Sequence, residues 1–352
     1  MYAPIVPDPS APPVRINLYS DTQTLPTQAM RAAMLDAEVG DEQSGMDPTV
    51  NALCDRVATL FGKEAAMFLP SGTMCNEIAI LTLCRPGDEV LAHETAHIIT
   101  AEGGAPGALA GVRVRGLPGP RGMFSPAALR EAITAPSRYA APQTLLVAEQ
   151  TANLGGGTIW PLEILCEIAS IAHEAGMATH MDGARLMNAV VASGVSARDF
   201  AVPFDTVWLD FTKGLGAPLG AVLAGSTATI DRAWHWKQRI GGSLRQAGIC
   251  AAGCLYALDH HVERLTEDHA NAKRLAAGLS QIGGLIVEVP ETNLVFAEVA
   301  ANGKTPEAWA ASLRAQGILI SVMGRSRLRL CTHLGVSVQE IDDTIAAFAA
   351  IN

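Results

Sequence analysis

From Pro48 to Asp210 the chain alternates short apolar runs with amphipathic stretches, and this alternation restricts the fold more than any other feature. Val50, Leu53, Val57 and Leu60 recur at helical spacing, predicting a helix over Pro48–Phe61. Strand-length runs follow at 65–69, 89–92, 144–148, 178–181 and 207–209, with helical patterns over 76–84 and 162–175 between them. Strands separated by helices are joined by crossovers, which gives a mostly parallel sheet covered by helices. Beyond about Ala252 the pattern changes to a long helical stretch, 255–278, and separate strands at 285–289 and 294–299. The expected fold class is therefore α/β, with a large domain over 16–252, a smaller C-terminal α+β domain over 253–352 and a flexible arm over 1–15.

One lysine stands out within this frame. In Asp210-Phe211-Thr212-Lys213-Gly214-Leu215-Gly216-Ala217-Pro218-Leu219-Gly220 it lies between an apolar strand and a glycine-rich turn. A lysine placed so is desolvated and held rigid, as a Schiff-base lysine needs. Asp182-Gly183-Ala184-Arg185 precedes it at the end of another strand, where an aspartate can keep the ring nitrogen of pyridoxal phosphate (PLP) protonated. The glycines at 214, 216 and 220 miss the dinucleotide spacing G-x-G-x-x-G by one position, and no P-loop motif occurs. A third piece lies upstream. Ser71-Gly72-Thr73 connects the 65–69 strand to a helix, and a helix N-terminus presents unpaired N–H groups and partial positive charge to a phosphate. An ordinary N-cap would look the same in isolation.

His93-Glu94-Thr95-Ala96-His97 matches H-E-x-x-H, which on a long helix offers two zinc ligands and a glutamate base. A zinc hydrolase is thus the rival from another class. Here the motif directly follows a strand and runs into Glu102-Gly103-Gly104-Ala105-Pro106-Gly107, which ends a helix quickly. His97 fits the PLP reading better, as an imidazole stacked on the pyridine ring, and no metal is expected.

Charge and cysteines narrow the partners. With 25 basic against 35 acidic residues the formal charge is −10, which argues against a nucleic-acid partner. Hydrophobic residues make up 49% and charged ones 17%, which predicts surface buried between subunits, as a homodimer or homotetramer. No apolar run reaches the roughly 18 residues of a membrane span. The seven cysteines contain no C-x-x-C pair, a reduced, cytoplasmic pattern. The proline-rich start, residues 1–14, reads as an arm rather than an export signal.

With these residues in place, the chain resembles the threonine aldolase branch of the β-eliminating lyase family, of PLP fold type I. Ser20-Asp21-Thr22, Val39-Gly40-Asp41, Asp47-Pro48-Thr49-Val50-Asn51, Gly62-Lys63-Glu64-Ala65-Ala66, Ser71-Gly72-Thr73 and Asp182-Gly183-Ala184-Arg185 carry the resemblance. So do Thr212-Lys213-Gly214-Leu215-Gly216-Ala217-Pro218, Arg245-Gln246-Ala247-Gly248 and Arg329-Leu330-Cys331-Thr332-His333. The resemblance implies that Lys213 forms the Schiff base, Asp182 pairs with the pyridine nitrogen and His97 stacks on the ring. It implies phosphate binding by Ser71, Gly72 and Thr73, with Arg245 reaching a phosphate across a subunit interface. Ser20, Arg185 and Arg329 would hold the substrate carboxylate, in keeping with the planar fork of a guanidinium. Arg327, two positions before Arg329 in an alternating strand, is the competing choice.

The implied reaction is retro-aldol cleavage of a β-hydroxy-α-amino acid of the threonine or allo-threonine type to glycine and an aldehyde. Racemisation and β-elimination share every cofactor residue and stay open. The chain also departs from the family pattern: Tyr19 replaces an arginine before Ser20, Ser44 a tyrosine before Gly45, and Ala152 a histidine in Glu149-Gln150-Thr151-Ala152-Asn153. Tyr139 loosely aligns with a further histidine. Loss of polar groups near the β-carbon would remake the pocket, so a bulkier substrate than threonine is compatible, with His97 or a bound water as base.

Overall fold

The computed structural model describes residues 12–300 and 304–351. Most of the expected N-terminal arm, residues 1–11, lies outside the described residues. The chain divides into two compact units, Pro26–Val262 and the combination of Met1–Leu25 with Glu263–Asn352.

The larger unit is built on a seven-stranded sheet. Its strands run in the spatial order Ala65–Leu69, Ala221–Gly225, Thr206–Asp210, Ala178–Asp182, Gln143–Glu149, Glu89–His93 and Arg113–Leu117. Only Ala221–Gly225 runs against the others, pairing antiparallel with both neighbours. The sheet is mostly parallel, as the alternation predicted. Residues of Glu89–His93 and Thr206–Asp210 are buried throughout, which fits strands covered on both faces.

Local chemistry sets the helix limits. In Pro48–Phe61 the Asp47 carboxylate caps the N–H groups of Thr49 at 3.1 Å and Val50 at 3.0 Å. Pro48 occupies the first turn, where its missing N–H costs nothing, and Gly62 ends the helix at φ 64°. The helix expected over 76–84 begins earlier, at Gly72, because Ser71 Oγ accepts from Met74 N–H at 3.3 Å. That shift brings Ser71-Gly72-Thr73 onto a true helix N-terminus.

The smaller unit contains an antiparallel sheet in the order Ser321–Met323, Arg327–Cys331, Leu294–Val299 and Leu285–Val287. Leu275, Val295, Leu328, Leu330, Ile341 and Phe348 are among the residues of its apolar core. Two boundaries differ from the sequence expectation. Ile16–Asn17 pairs in parallel with Ile318–Leu319, so the segment from residue 16 to 25 groups with C-terminal residues rather than with the large domain. The helical stretch expected over 255–278 is two helices, Gly248–His260 and Leu265–Leu279, and the first belongs to the larger unit. The break follows a specific contact: His261 Nδ1 donates to the Leu215 carbonyl at 2.7 Å, turning the chain toward the glycine-rich turn after Lys213.

Candidate active site

Parallel strands direct their carboxyl ends to one edge of a sheet, and ligands of α/β proteins bind outside that edge. In the larger unit this edge carries Ser71 after Leu69, His97 after His93, Glu149, Asp182, and Lys213 after Asp210. His97, Glu102 and Asp182 converge there, with one side-chain N or O atom of each within 4.8 Å of the others.

Asp182 is 2% exposed and held from two sides. Its Oδ1 accepts from Ala184 N–H at 3.0 Å, and its Oδ2 accepts from Asn76 Nδ2 at 2.8 Å. Asn76, fully buried, uses its whole hydrogen-bonding capacity. Its amide nitrogen also donates to Glu102 Oε1 at 2.7 Å, while its oxygen accepts from Trp208 Nε1 at 2.7 Å and His180 Nε2 at 3.1 Å. His180 thus carries its proton on Nε2, and Nδ1 accepts from Thr206 Oγ1 at 2.8 Å. Burial pushes the His180 imidazolium down to about 4. A neutral imidazole therefore stands beside the carboxylate.

His97 opens a short helix, His97–Thr100. Its backbone N–H donates to Glu149 Oε2 at 2.8 Å, and its Nδ1 donates to Glu102 Oε1 at 2.7 Å, fixing the ring. Burial disfavours the imidazolium, but the Glu102 hydrogen bond and the charges of Asp182, Glu102 and Glu149 outweigh it, so the His97 pKa is raised. Glu149 is buried, with Oε1 accepting from Asn153 N–H at 2.7 Å. Desolvation, with Asp182 adding to it, pushes the Glu149 carboxyl up to about 7.

The H-E-x-x-H reading loses its geometric premise here. His93 ends a strand rather than sharing a helix with His97. Its ring accepts from Thr95 N–H at 3.1 Å through Nδ1 and donates to Gly119 O at 3.0 Å through Nε2.

Lys213 lies on the turn after Thr206–Asp210, its side chain 17% exposed and ion-paired with Asp210. The other Asp210 oxygen accepts from Thr212 N–H at 3.0 Å and Thr212 Oγ1 at 2.8 Å, which shapes the turn. Ser71 and Thr73 are exposed at the first turn of Gly72–Leu83. Gly72 is required by a close approach: a Cβ there would stand 2.1 Å from Trp208 Cη2. Arg185 is buried, with Nη1 at 3.5 Å from Asn153 Oδ1 and its backbone N–H bonded to Gln150 O at 3.3 Å. Arg245 is exposed and pairs with Asp41 at 3.3 Å.

Ser20 and Arg329 belong to the smaller unit. Ser20 Oγ accepts from Thr22 N–H at 3.2 Å, and Arg329, 1% exposed, donates through Nη1 to the Tyr19 carbonyl at 3.3 Å. The competing Arg327 is engaged by Glu288 at 3.0 Å and Glu298 at 2.7 Å. Of the departures from the family pattern, Ala152 is buried against Gly122 and Tyr139 is 92% exposed.

Sequence reasoning did not assign parts to Asn76, Glu102, Glu149, Asp210 or His180. An asparagine followed by a glutamate in the apolar run of Gly72–Leu83 was the available signal, since such residues are buried only with partners.

The architecture defines the class: a fold type I PLP enzyme scaffold. The threonine aldolase of Leishmania major superposes with a TM-score of 0.82 at 22% identity, covering 96% of this chain and 99% of that one. The model of the family described as Beta-eliminating lyase matches residues 17–302, and the chain belongs to that family. It is similar to the low-specificity L-threonine aldolase of Escherichia coli, 37% identical over 336 residues, 95% of this chain and 98% of that enzyme. Low-specificity L-threonine aldolase 1 of Arabidopsis thaliana is 36% identical over 340 residues, 95% of each chain. Among the described residues no helix is long and apolar enough to cross a membrane.

Proposed function

We propose that this protein binds PLP and cleaves a β-hydroxy-α-amino acid of the threonine type to glycine and an aldehyde. The observation that carries the reading is the arrival of Lys213, Asp182, His97 and the Ser71–Thr73 turn at one edge of a single sheet. The residues present fit the cofactor. Ser71 and Thr73 stand exposed at the start of the helix Gly72–Leu83, where unpaired backbone N–H groups can take a phosphate. Asp182 is buried yet oriented by two N–H donors, as a partner for a protonated ring nitrogen requires.

When bound, PLP supplies an electron sink for the bond broken at the substrate α-carbon. The protein supplies the rest. Lys213 would provide the amine for covalent attachment, with Asp210 beside it as its ion-pair partner. Asp182 would hold a proton at the ring nitrogen, and His97 would pack against the ring, its imidazole oriented by Glu102. Arg185 is the carboxylate ligand offered by this unit, and binding the carboxylate orients the Cα–Cβ bond. The same role for Ser20 and Arg329 rests on the family resemblance.

The inferred assembly is a homodimer or homotetramer. Leu35, Val39, Met46 and Ile249 are exposed apolar residues of the larger unit that support it, as does the exposed Arg245. A cytoplasmic location is supported by the seven cysteines, all free thiols.

The decisive experiment is an absorbance spectrum before and after glycine, with products assayed from L-threonine and L-allo-threonine. A band near ~420 nm that responds to glycine, with aldehyde released, supports the reading. 2-Oxobutanoate with ammonia, or a D-amino acid, in place of aldehyde moves it to β-elimination or racemisation. A protein that stays colourless with added PLP overturns it.

A further inference from the structure

Glu77 follows Asn76 on the helix Gly72–Leu83 and is 2% exposed. Among the described residues neither of its carboxyl oxygens has a hydrogen-bond partner, and Glu102 Oε2 has none either. The two carboxyl groups are nonetheless linked, since a side-chain hydrogen bond with Glu102 is among the causes that raise the Glu77 carboxyl. Two carboxylates cannot satisfy each other, because both only accept; one proton between them satisfies both at once. The other Glu102 oxygen is already committed, accepting from Asn76 Nδ2 at 2.7 Å and His97 Nδ1 at 2.7 Å. Both of those donors favour charge on Glu102, which leaves Glu77 as the member that keeps the proton.

We propose that Glu77 and Glu102 share one proton beside His97, with Glu77 a positioning residue that donates to Glu102 and so keeps it a carboxylate against the imidazole. The proposal deepens the functional reading above and rests on it for the part played by His97. Burial first, then the hydrogen bond with Glu102 and its charge, pushes the Glu77 carboxyl up to about 9. The groups that face His97 are Glu102, Asp182 and Glu149, with His180 beside Asp182 across Asn76. Without the Glu77 donor, Glu102 Oε2 would be a buried oxygen with no donor among the described residues, which disfavours the charge that faces His97. His97 would then lose its ionised partner, and its imidazolium would become harder to form.

Two measurements test this, and neither depends on turnover. The first is infrared spectroscopy of the protein with isotope-labelled glutamate at about pH 8, below the value of about 9 for Glu77. A protonated-carboxyl band is expected in the wild type and not in Glu77→Gln. Absence of the band in the wild type, or its persistence unchanged in Glu77→Gln, overturns the proposal. The second is the His97 titration followed by nuclear magnetic resonance. Gln mimics a protonated Glu and donates to Glu102, so Glu77→Gln is expected to titrate like the wild type, whereas Glu77→Leu shifts the midpoint downward. Equal downward shifts in both variants would reduce Glu77 to a packing residue and sink the idea. Because the infrared band reports on the protein without its cofactor, a failure here is distinct from a failure to bind PLP.

Discussion

Asn76 Nδ2 stands 2.8 Å from Asp182 Oδ2, and the same nitrogen stands 2.7 Å from Glu102 Oε1. One amide thus joins the carboxylate expected at the cofactor's ring nitrogen to the carboxylate that orients His97. Replacing it with a leucine of similar size would leave both carboxylates short of a donor and strand the Trp208 and His180 N–H groups. Asn76→Leu is expected to cost roughly 3–5 kcal/mol in urea unfolding, the range for broken buried polar networks. A loss below about 1 kcal/mol would show that the four bonds are individually dispensable.

Gly72 gives the second prediction. A methyl group there meets Trp208 Cη2 at 2.1 Å, and Trp208 is buried and tied to Asn76. Gly72→Ala is expected to destabilise the protein by about 1–3 kcal/mol and to weaken PLP binding at least about tenfold. Fluorescence titration with PLP measures the second effect; unchanged affinity would separate Gly72 from the phosphate.

Lys213→Ala is expected to abolish aldehyde release from threonine and to remove the absorbance band of the bound cofactor. Turnover at more than about one per cent of wild type would unseat Lys213 from covalent attachment.

For the smaller unit, the buried Arg329 and the ion-paired Arg327 are expected to behave differently. Arg329→Lys keeps the charge but loses the planar fork, so the KM for threonine should rise about tenfold or more. Arg327→Ala breaks partly exposed pairs worth at most about 1 kcal/mol and should leave KM near wild type. Steady-state kinetics decides, and the reverse pattern would exchange their parts.

The buried acids set a direction for pH. Glu149 is pushed up to about 7 and Glu77 to about 9, both from 4.5. Their folded forms hold the proton more tightly than the unfolded chain, so their contribution to stability falls as pH rises through each window. The raised His97 acts the same way: its stabilisation is present at low pH and lost as pH rises through its folded value. His180, lowered to about 4 from 6.5, acts oppositely, but only between those values. Above pH 6.5 its influence has ended. The apo-protein is therefore expected to lose thermal stability from pH 6.5 to about 9, by up to about 1.4 kcal/mol per pH unit for each proton, and Glu77→Gln should flatten the decline. A Tm that climbs across that interval would contradict the assignment.

Much of this architecture is legible in the sequence where local chemistry decides it. Pro48–Phe61 is bounded by Asp47, Pro48 and Gly62, all readable as residues, and the buried strands announce themselves as apolar runs. Lys213, Asp182 and His97 are legible because each ends or follows a strand. Strand order is not, because Ala65–Leu69 and Ala221–Gly225 become neighbours across more than half the larger unit. Nor is the Asn76 hub, whose partners come from residues 102, 180, 182 and 208, with nothing local to mark them. The misplaced N-terminal boundary has the same origin, since a two-residue strand carries no periodicity.

That two-residue strand also sets an order of events in synthesis. Ile16 leaves the ribosome some three hundred residues before its partner Ile318. Pairing across such a separation carries a loop-closure cost and is slow on its own. The larger unit, contiguous from Pro26 to Val262, can complete its sheet while that early segment still waits. The smaller unit is then finished last, by the joining of Ile16–Asn17 to Ile318–Leu319.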